Sequence, residues 1–255
     1  MGVYAITGGS GGIGLRVISQ LEKQGHETIN IDWKTGDIQA DLSIPEGRQK
    51  VIDELHELHP EGLDGLILCA GVPGSCHDLR LILSLNFFGT ISIIKGVYDL
   101  LEKKGGSCVA TVSNAISQGD LPMDLADILN NNNEDEPRIL DLVSNLDEND
   151  LLTGNRLYVA SKYALARWVR RHSASYSGYL DVSVPRVPSG KLCIGLSVLK
   201  VYLSGFPHSD IHGSKDICSS PWLFAAYHVL HRLSVPRHPP CALYSLTNSF
   251  ESGSD

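Results

Sequence analysis

The chain has little of what marks a secreted, metal-bound or nucleic-acid-binding protein. Its six cysteines form no C-x-x-C and no zinc spacing, so neither a disulfide framework nor a metal site is expected, and the thiols read as reduced in a cytoplasmic protein. Its ten histidines contain no H-E-x-x-H, and His56 and His59 fall on a polar helical stretch where solvation is the simplest reading. Basic residues are in the minority, 21 Lys and Arg against 29 Asp and Glu for a net charge of −8, which excludes general attraction to nucleic acid. No apolar run approaches the roughly 20 residues of a membrane span. The opening MGVYAITGG lacks the basic start and long apolar run of a secretory signal. What is present, 42% hydrophobic and 20% charged residues in a chain of 255, is the composition of an ordinary soluble domain.

The charge is not spread evenly. Residues 1–180 hold 24 acidic and 15 basic side chains, whereas 181–255 hold 5 and 6. Those last 75 residues carry 13 Ser, 7 of the 12 Pro, 5 of the 10 His and a single Glu, Glu251. The chain therefore divides into a body, 1–180, and an atypical C-terminal segment of the same domain, 181–255.

Within the body, short β-rich runs alternate with helical periodicity. Strands are expected at Val3–Thr7, His26–Trp33, Leu63–Ala70 and Ser107–Ser113. Helices are expected at Ile13–Gln24, Glu46–His59, Leu79–Lys104 and from Arg156 to about Tyr176. That alternation implies βαβ crossovers and an α/β fold with a doubly wound parallel sheet in one domain. Residues 119–155 interrupt the rhythm. Between Asp120 and Asp150 there are ten acids against one base, Arg138. A solvated surface insertion is the first expectation, with a substrate lid or an oligomer contact as alternatives, because Leu121, Met123, Leu125, Ile128, Leu140, Leu142 and Leu146 offer apolar cover.

The first chemical signal is Thr7-Gly8-Gly9-Ser10-Gly11-Gly12-Ile13-Gly14, set between a strand and a helix. Glycine permits positive φ and close backbone approach, and the helix N-terminus offers free N–H groups to a pyrophosphate. Asp32 lies at the end of the second strand, 18 residues after Gly14. A carboxylate there accepts from the ribose hydroxyls of an adenosine and repels a 2′-phosphate, so NAD is expected over NADP.

A second constellation carries acid–base chemistry. Tyr158 and Lys162, at i and i+4, share a helix face. A phenol near pKa 10 works poorly at neutral pH, and a neighbouring ammonium is expected to lower it. Tyr158 then exchanges the alcohol proton while Lys162 also serves the nicotinamide ribose. Ser113 ends a strand at the edge where open α/β sheets bind ligands, placed to hold a substrate oxygen beside Tyr158. Asn86 is a polar amide inside an apolar helix and needs a partner.

Taken together these residues resemble a short-chain dehydrogenase/reductase. The family's T-G-x-x-x-G-x-G falls on Thr7, Gly8, Gly12 and Gly14, and its Asn-Ser-Tyr-Lys tetrad on Asn86, Ser113, Tyr158 and Lys162. The resemblance implies that the Asn supports a proton-relay water near the Lys. It further implies an adenine-site acid at Asp41, beside Leu42, and a cofactor-lining segment at Cys69-Ala70-Gly71, where Cys replaces the family's Asn. A narrower likeness is to the bacterial 3α-hydroxysteroid dehydrogenase/carbonyl reductase group. It rests on Ile31-Asp32, Ala40–Ser43, Glu46-Gly47-Arg48, Leu63–Gly71 and the 45-residue interval from Ser113 to Tyr158. In that group the insertion is implied to alter the usual helix-based dimer contact.

The likeness runs from about residue 3 to 178. Beyond it, Pro188 is followed by Ser189 rather than Gly, residues 190–200 contain no Thr, and the closing D-G-G is absent. Pro185 falls inside the strand the family would place there, where it removes a ladder N–H. The segment is read either as a divergent substrate region or as the product of a shifted reading frame. Trp222–Leu233 is a candidate helix, and Cys193–Leu203 and Cys241–Thr247 are candidate strands. The functional expectation is a cytoplasmic NAD(H)-dependent oxidoreductase, a homo-oligomer, acting on a small secondary alcohol or ketone, steroid-like or otherwise hydrophobic. The alternatives are a dinucleotide-binding protein with impaired or no turnover and, more weakly, a structural oligomer partner that uses the acidic insertion.

Overall fold

The computed structural model describes residues 1–117, 121–131 and 135–173, and the backbone of 180–183. Six parallel strands run through these residues: β1 (Val3–Thr7), β2 (Glu27–Asp32), β3 (Ile38–Gln39), β4 (Gly65–Leu68), β5 (Ser107–Thr111) and β6 (Leu180–Ser183). Their order, β3-β2-β1-β4-β5-β6, reverses direction between β1 and β4. The two central strands are apolar and buried along their whole length, as a sheet covered on both faces requires. The two-residue β3 had no pattern long enough to read.

Helices cover both faces: α1 (Gly12–Lys23), α2 (Pro45–Leu58), α3 (Leu79–Leu83), α4 (Thr90–Gly96), α5 (Tyr98–Lys104), α6 (Met123–Asn131), α7 (Glu136–Val143) and α8 (Leu151–His172). One face buries a small cluster of Ile6, Ile67, Val17 and Leu21 under α1. The other carries the main core, built around Phe87, Ile82, Leu66, Leu55 and Trp168.

The expected helix Leu79–Lys104 is not continuous. Ser84–Gly89 forms a π-helical turn between α3 and α4, and Val97, at φ −120° and ψ 13°, separates α4 from α5. Its first part, Leu79–Gly96, is long and apolar enough to cross a membrane, contrary to the sequence expectation. Two thirds of it is buried under the sheet, which accounts for that apolarity. Helix α8 starts five residues before the expected Arg156, because the Asp150 carboxylate caps it, accepting from Leu152 N at 3.0 Å and Thr153 N at 3.2 Å.

The acidic insertion is not merely solvated. It folds into α6 and α7, and Ala126, Leu129, Ile139, Leu140 and Val143 enter the main core. Its charges are paired at defined points: Asp127 meets Arg167 of α8 near the surface, and Glu136 meets the buried Arg48 of α2. Of the apolar residues expected to form cover, Leu140 is buried and Leu125 and Ile128 pack on the core, whereas Met123, Leu142 and Leu146 stay exposed. His56 also has partners, its ring nitrogens lying 2.8 Å from Ile52 O and 2.9 Å from Asp99 Oδ1 on α5.

The proposed boundary at 180/181 falls inside β6, which pairs in parallel with β5 from Cys108 to Thr111. A strand does form there, and it ends at Ser183, before Pro185. Pro185, Pro188, Ser189 and the elements expected from Cys193 onward lie outside the described residues.

Candidate active site

Thr7, Asp32, Cys69, Ala70, Gly71 and Ser113 all lie at or just beyond the C-terminal ends of parallel strands, on both sides of the reversal between β1 and β4. Open sheets bind ligands at this place. The two strand ends are tied across it. Thr7 Oγ1 accepts from Ala70 N at 3.2 Å, and Cys69 N donates to Thr7 O at 3.0 Å.

The glycine loop is shaped by two requirements. Gly8 has φ +68°, and a Cβ on it would stand 2.7 Å from Ala70 N. A Cβ on Gly14 would stand 2.2 Å from Gly8 O. Both glycines are needed for the loop to close on itself and on β4. Gly12 differs, since nothing lies within 4 Å of where its Cβ would be. Beside that open space α1 begins at Gly12, with Gly11 as an N-cap that offers no side-chain hydrogen bond, so its first N–H groups and the positive end of its dipole are left for an external acceptor. Ile13 anchors the turn from behind, buried in the cluster under α1. The donor set and the open face fit a phosphate group.

Asp32 is half-buried and held from two sides. Its Oδ2 accepts from Ser10 N at 3.2 Å and its Oδ1 from Lys34 N at 3.1 Å. Asp41 is exposed, and one carboxylate oxygen serves Ser43, accepting from its N at 2.9 Å and its Oγ at 2.7 Å. Leu42 is buried, and Arg48 Nε donates to its carbonyl at 2.7 Å. The same guanidinium donates to Ser43 O, to Ser84 O at the start of the π-helical turn, and to both carboxylate oxygens of Glu136. The insertion thus reaches the segment expected to hold adenine through one buried ion pair. Arg48 stood inside the residues that carried the likeness, yet nothing in the sequence pairs it with Glu136, 88 positions away.

The acid–base group is assembled from three elements. Ser113 follows β5, Tyr158 and Lys162 project from α8, and Asn86 sits in the π-helical turn. Such turns inside α-helices redirect side chains and are frequent at functional sites. Asn86 is fully buried and commits both ends of its amide to Val72, accepting from Val72 N and donating to Val72 O, each at 2.9 Å. Its side chain is therefore a brace for the chain leaving β4, while its carbonyl accepts from Thr90 Oγ1 at 3.1 Å. Gly71 separates Asn86 from Lys162: a Cβ there would lie 2.8 Å from Asn86 Oδ1 and 3.4 Å from Lys162 Nζ.

Lys162 is 1% exposed. Its ammonium donates to Thr111 O at 3.1 Å, and burial pushes its pKa down to about 8. Tyr158 does not show the depressed pKa expected from that neighbour. Burial raises it above 10, and the group pulling it down is Ser113, through a hydrogen bond. Desolvation disfavours the charged phenolate and outweighs the Ser113 hydrogen bond that favours it. Cys69 is a neutral thiol, pushed up to about 12 by burial against the pull of Lys162. Thr111 had no sequence signal as a participant, because it contributes a backbone carbonyl.

Comparisons with known proteins identify the family to which the chain belongs. A family model described as short chain dehydrogenase matches residues 2–122. The 3-alpha-hydroxysteroid dehydrogenase/carbonyl reductase of Comamonas testosteroni is 32% identical over 179 residues, covering 69% of this chain and 67% of its own. The coniferyl-alcohol dehydrogenase of Pseudomonas sp. (strain HR199 / DSM 7063) is 36% identical over 110 residues, 41% of each protein. Among solved structures, the 3-alpha-hydroxysteroid dehydrogenase from Pseudomonas sp. B-0831 complexed with NADH superposes with a TM-score of 0.62 at 30% identity, over 71% of this chain and 72% of that one. This chain belongs to the short chain dehydrogenase family, oxidoreductases built on a dinucleotide-binding fold.

Proposed function

We propose that the chain is an NAD(H)-dependent oxidoreductase that interconverts a secondary alcohol and a ketone, with Tyr158 as general acid–base. The observation that carries this reading is the placement of Ser113, Tyr158 and Lys162 at the strand ends beside an uncapped helix N-terminus. Thr7, Gly8, Ser10, Gly11, Gly12, Ile13 and Gly14 would surround the pyrophosphate, Asp32 the adenosine ribose, Asp41 and Leu42 the adenine. Cys69, Ala70 and Gly71 would line the way to the nicotinamide end. When bound, the nicotinamide supplies the hydride acceptor or donor. Asp32, with its two oxygens oriented by Ser10 and Lys34, favours ribose hydroxyls over a 2′-phosphate.

At the reacting end, the Ser113 hydroxyl holds the substrate oxygen next to the Tyr158 hydroxyl. In reduction Tyr158 donates its proton to that oxygen, and in oxidation it takes the proton back. Its raised pKa keeps it in the donor form at neutral pH. Lys162 supplies the positive charge that stabilises the phenolate left behind. Asn86 fixes Val72 and so the course of the chain that leaves β4. The resemblance to hydroxysteroid and coniferyl-alcohol enzymes supports a hydrophobic alcohol or carbonyl as substrate. A homo-oligomer in the cytoplasm belongs to the same proposal.

One observation favours a second reading, a dinucleotide-binding protein with impaired turnover. The family-like pattern is confined to the body, and the composition changes near residue 180. A single assay separates the two. NADH binding is titrated by fluorescence, and NADH oxidation is then followed against a panel of steroid and smaller ketones. Binding with turnover is expected. Binding without turnover on every ketone would remove the enzymatic reading and leave the second.

A further inference from the structure

The loop that follows β2, residues 33–37, is fastened to the glycine loop by a chain of polar contacts that the assigned roles do not require. Asn30 sits in the middle of β2, where a β-branched residue would be the usual occupant. Its Nδ2 donates to Ser10 Oγ at 3.2 Å, and Ser10 Oγ in turn donates to Thr35 O at 2.6 Å. The Asn30 backbone N donates to Asp37 Oδ2 at 2.7 Å, which draws the far end of the loop back over β2. The packing leaves no slack. A Cβ on Gly36 would stand 2.6 Å from Asn30 O, and one on Gly9 2.2 Å from Asn30 Oδ1. That Oδ1 is buried without a hydrogen-bond partner among the described residues. The amide is held there with one end unsatisfied, and what the other end does is support the Ser10 hydroxyl.

Acidic groups stand at both ends of this loop. Asp32 and Asp37 flank it, and the cation between them, Lys34, has its ammonium 4.8 Å from the centre of the Trp33 ring. A ribose 2′-phosphate is a dianion that needs an Arg or comparable cation at the end of β2. Here it would meet a second carboxylate and a loop already closed against Ser10.

We infer that Ser10, Asn30 and Asp37 form a latch that sets dinucleotide choice, closing the gap between the glycine loop and residues 33–37 to any cofactor bearing a 2′-phosphate. The latch rests on the NAD(H) reading and extends it from Asp32 to three further residues. Asp32 recognises the ribose hydroxyls, whereas the latch acts as a positioning device that denies the phosphate its space.

The test is fluorescence titration of the full chain with NADH and with NADPH, reported as the ratio of the two Kd values. The wild type should bind NADH more tightly by about tenfold or more, and Asp32→Ala should bring the ratio near unity. Ser10→Ala keeps the backbone N–H to Asp32 but removes both side-chain links, and should lower the ratio by about threefold, mainly through tighter NADPH binding. Asp37→Asn keeps an acceptor for Asn30 N without the charge. It should move the ratio the same way, which preserves the test should the first variant fold poorly. An unchanged ratio in the variants that fold, with Asp32→Ala still collapsing it, would overturn the latch and leave the NAD(H) reading standing. Equal binding of the two dinucleotides by the wild type would overturn both.

Discussion

The two sides of the sheet reversal hold their polar groups in different ways. On the β1–β3 side, Ser10, Asp32 and Asp41 are exposed or half-buried, and backbone N–H groups orient the carboxylates. On the β4–β6 side, Asn86, Ser113 and Lys162 have almost no exposure, and each is held by a hydrogen bond, Asn86 with Val72, Ser113 from Ala115 N and Lys162 to Thr111 O. The first side can be built cheaply, because solvent still serves the charges. The second places an ammonium where burial opposes its charge, which is tolerable only if the group has work to do there. The proposed cofactor end is thus a backbone device, and the proposed reacting end an electrostatic one. The buried Arg48–Glu136 pair bridges them by joining Leu42, Ser84 and the insertion.

The largest expected effect comes from cutting that bridge. Glu136→Ala strands the Arg48 guanidinium in the interior and should lower stability by about 3–5 kcal/mol, read by chemical denaturation. A loss under about 1 kcal/mol, typical of a surface pair, would show that the insertion is not anchored this way. Next, two glycines of the same loop, one crowded and one open, should separate fold from binding. Gly14→Ala forces a Cβ into Gly8 O and should destabilise by about 1–3 kcal/mol. Gly12→Ala meets nothing and should leave Tm nearly unchanged while weakening NADH binding.

A stability effect of opposite sign is the most diagnostic of the β4–β6 side. Lys162→Met should abolish turnover yet raise Tm at neutral pH by about 3 °C, the equivalent of roughly 1 kcal/mol. The sign follows from burial, which lowers the Lys162 pKa from 10.5 to about 8 in the folded chain. Between those values the unfolded state holds more protons, so wild-type stability gains as pH rises through that window. The penalty is fully present below about pH 8 and gone above about pH 10.5. The Tm advantage of Lys162→Met should therefore shrink between pH 7 and pH 10. An advantage independent of pH would assign it to packing alone.

What the sequence disclosed follows the same division. Apolar runs located β1, β2, β4, β5, α1 and α2 within a few residues, because the central strands are buried throughout and the helices bury one continuous face. The glycine loop and Asp32 could be placed at the ends of β1 and β2 because that placement depends on local spacing. The break in Leu79–Lys104 was not, since a π-helical turn leaves the apolar period nearly intact while it moves Asn86 onto Val72. The insertion misled for a different reason. Its acids count as surface charge until Arg48 and Arg167, distant in sequence, are brought to meet Glu136 and Asp127. Tyr158 was expected to be depressed by a helix neighbour, an inference that spacing permits but burial overrides.

The most direct test of the proposed chemistry is a paired measurement on Tyr158→Phe. The substitution removes one hydroxyl and leaves the ring that packs against the core. NADH affinity by fluorescence should stay close to that of the wild type, while NADH oxidation on the best ketone should fall by about 10²–10⁴-fold. Turnover within a few-fold of the wild type would contradict Tyr158 as the proton donor and, with it, the reading of this sheet edge as an active site.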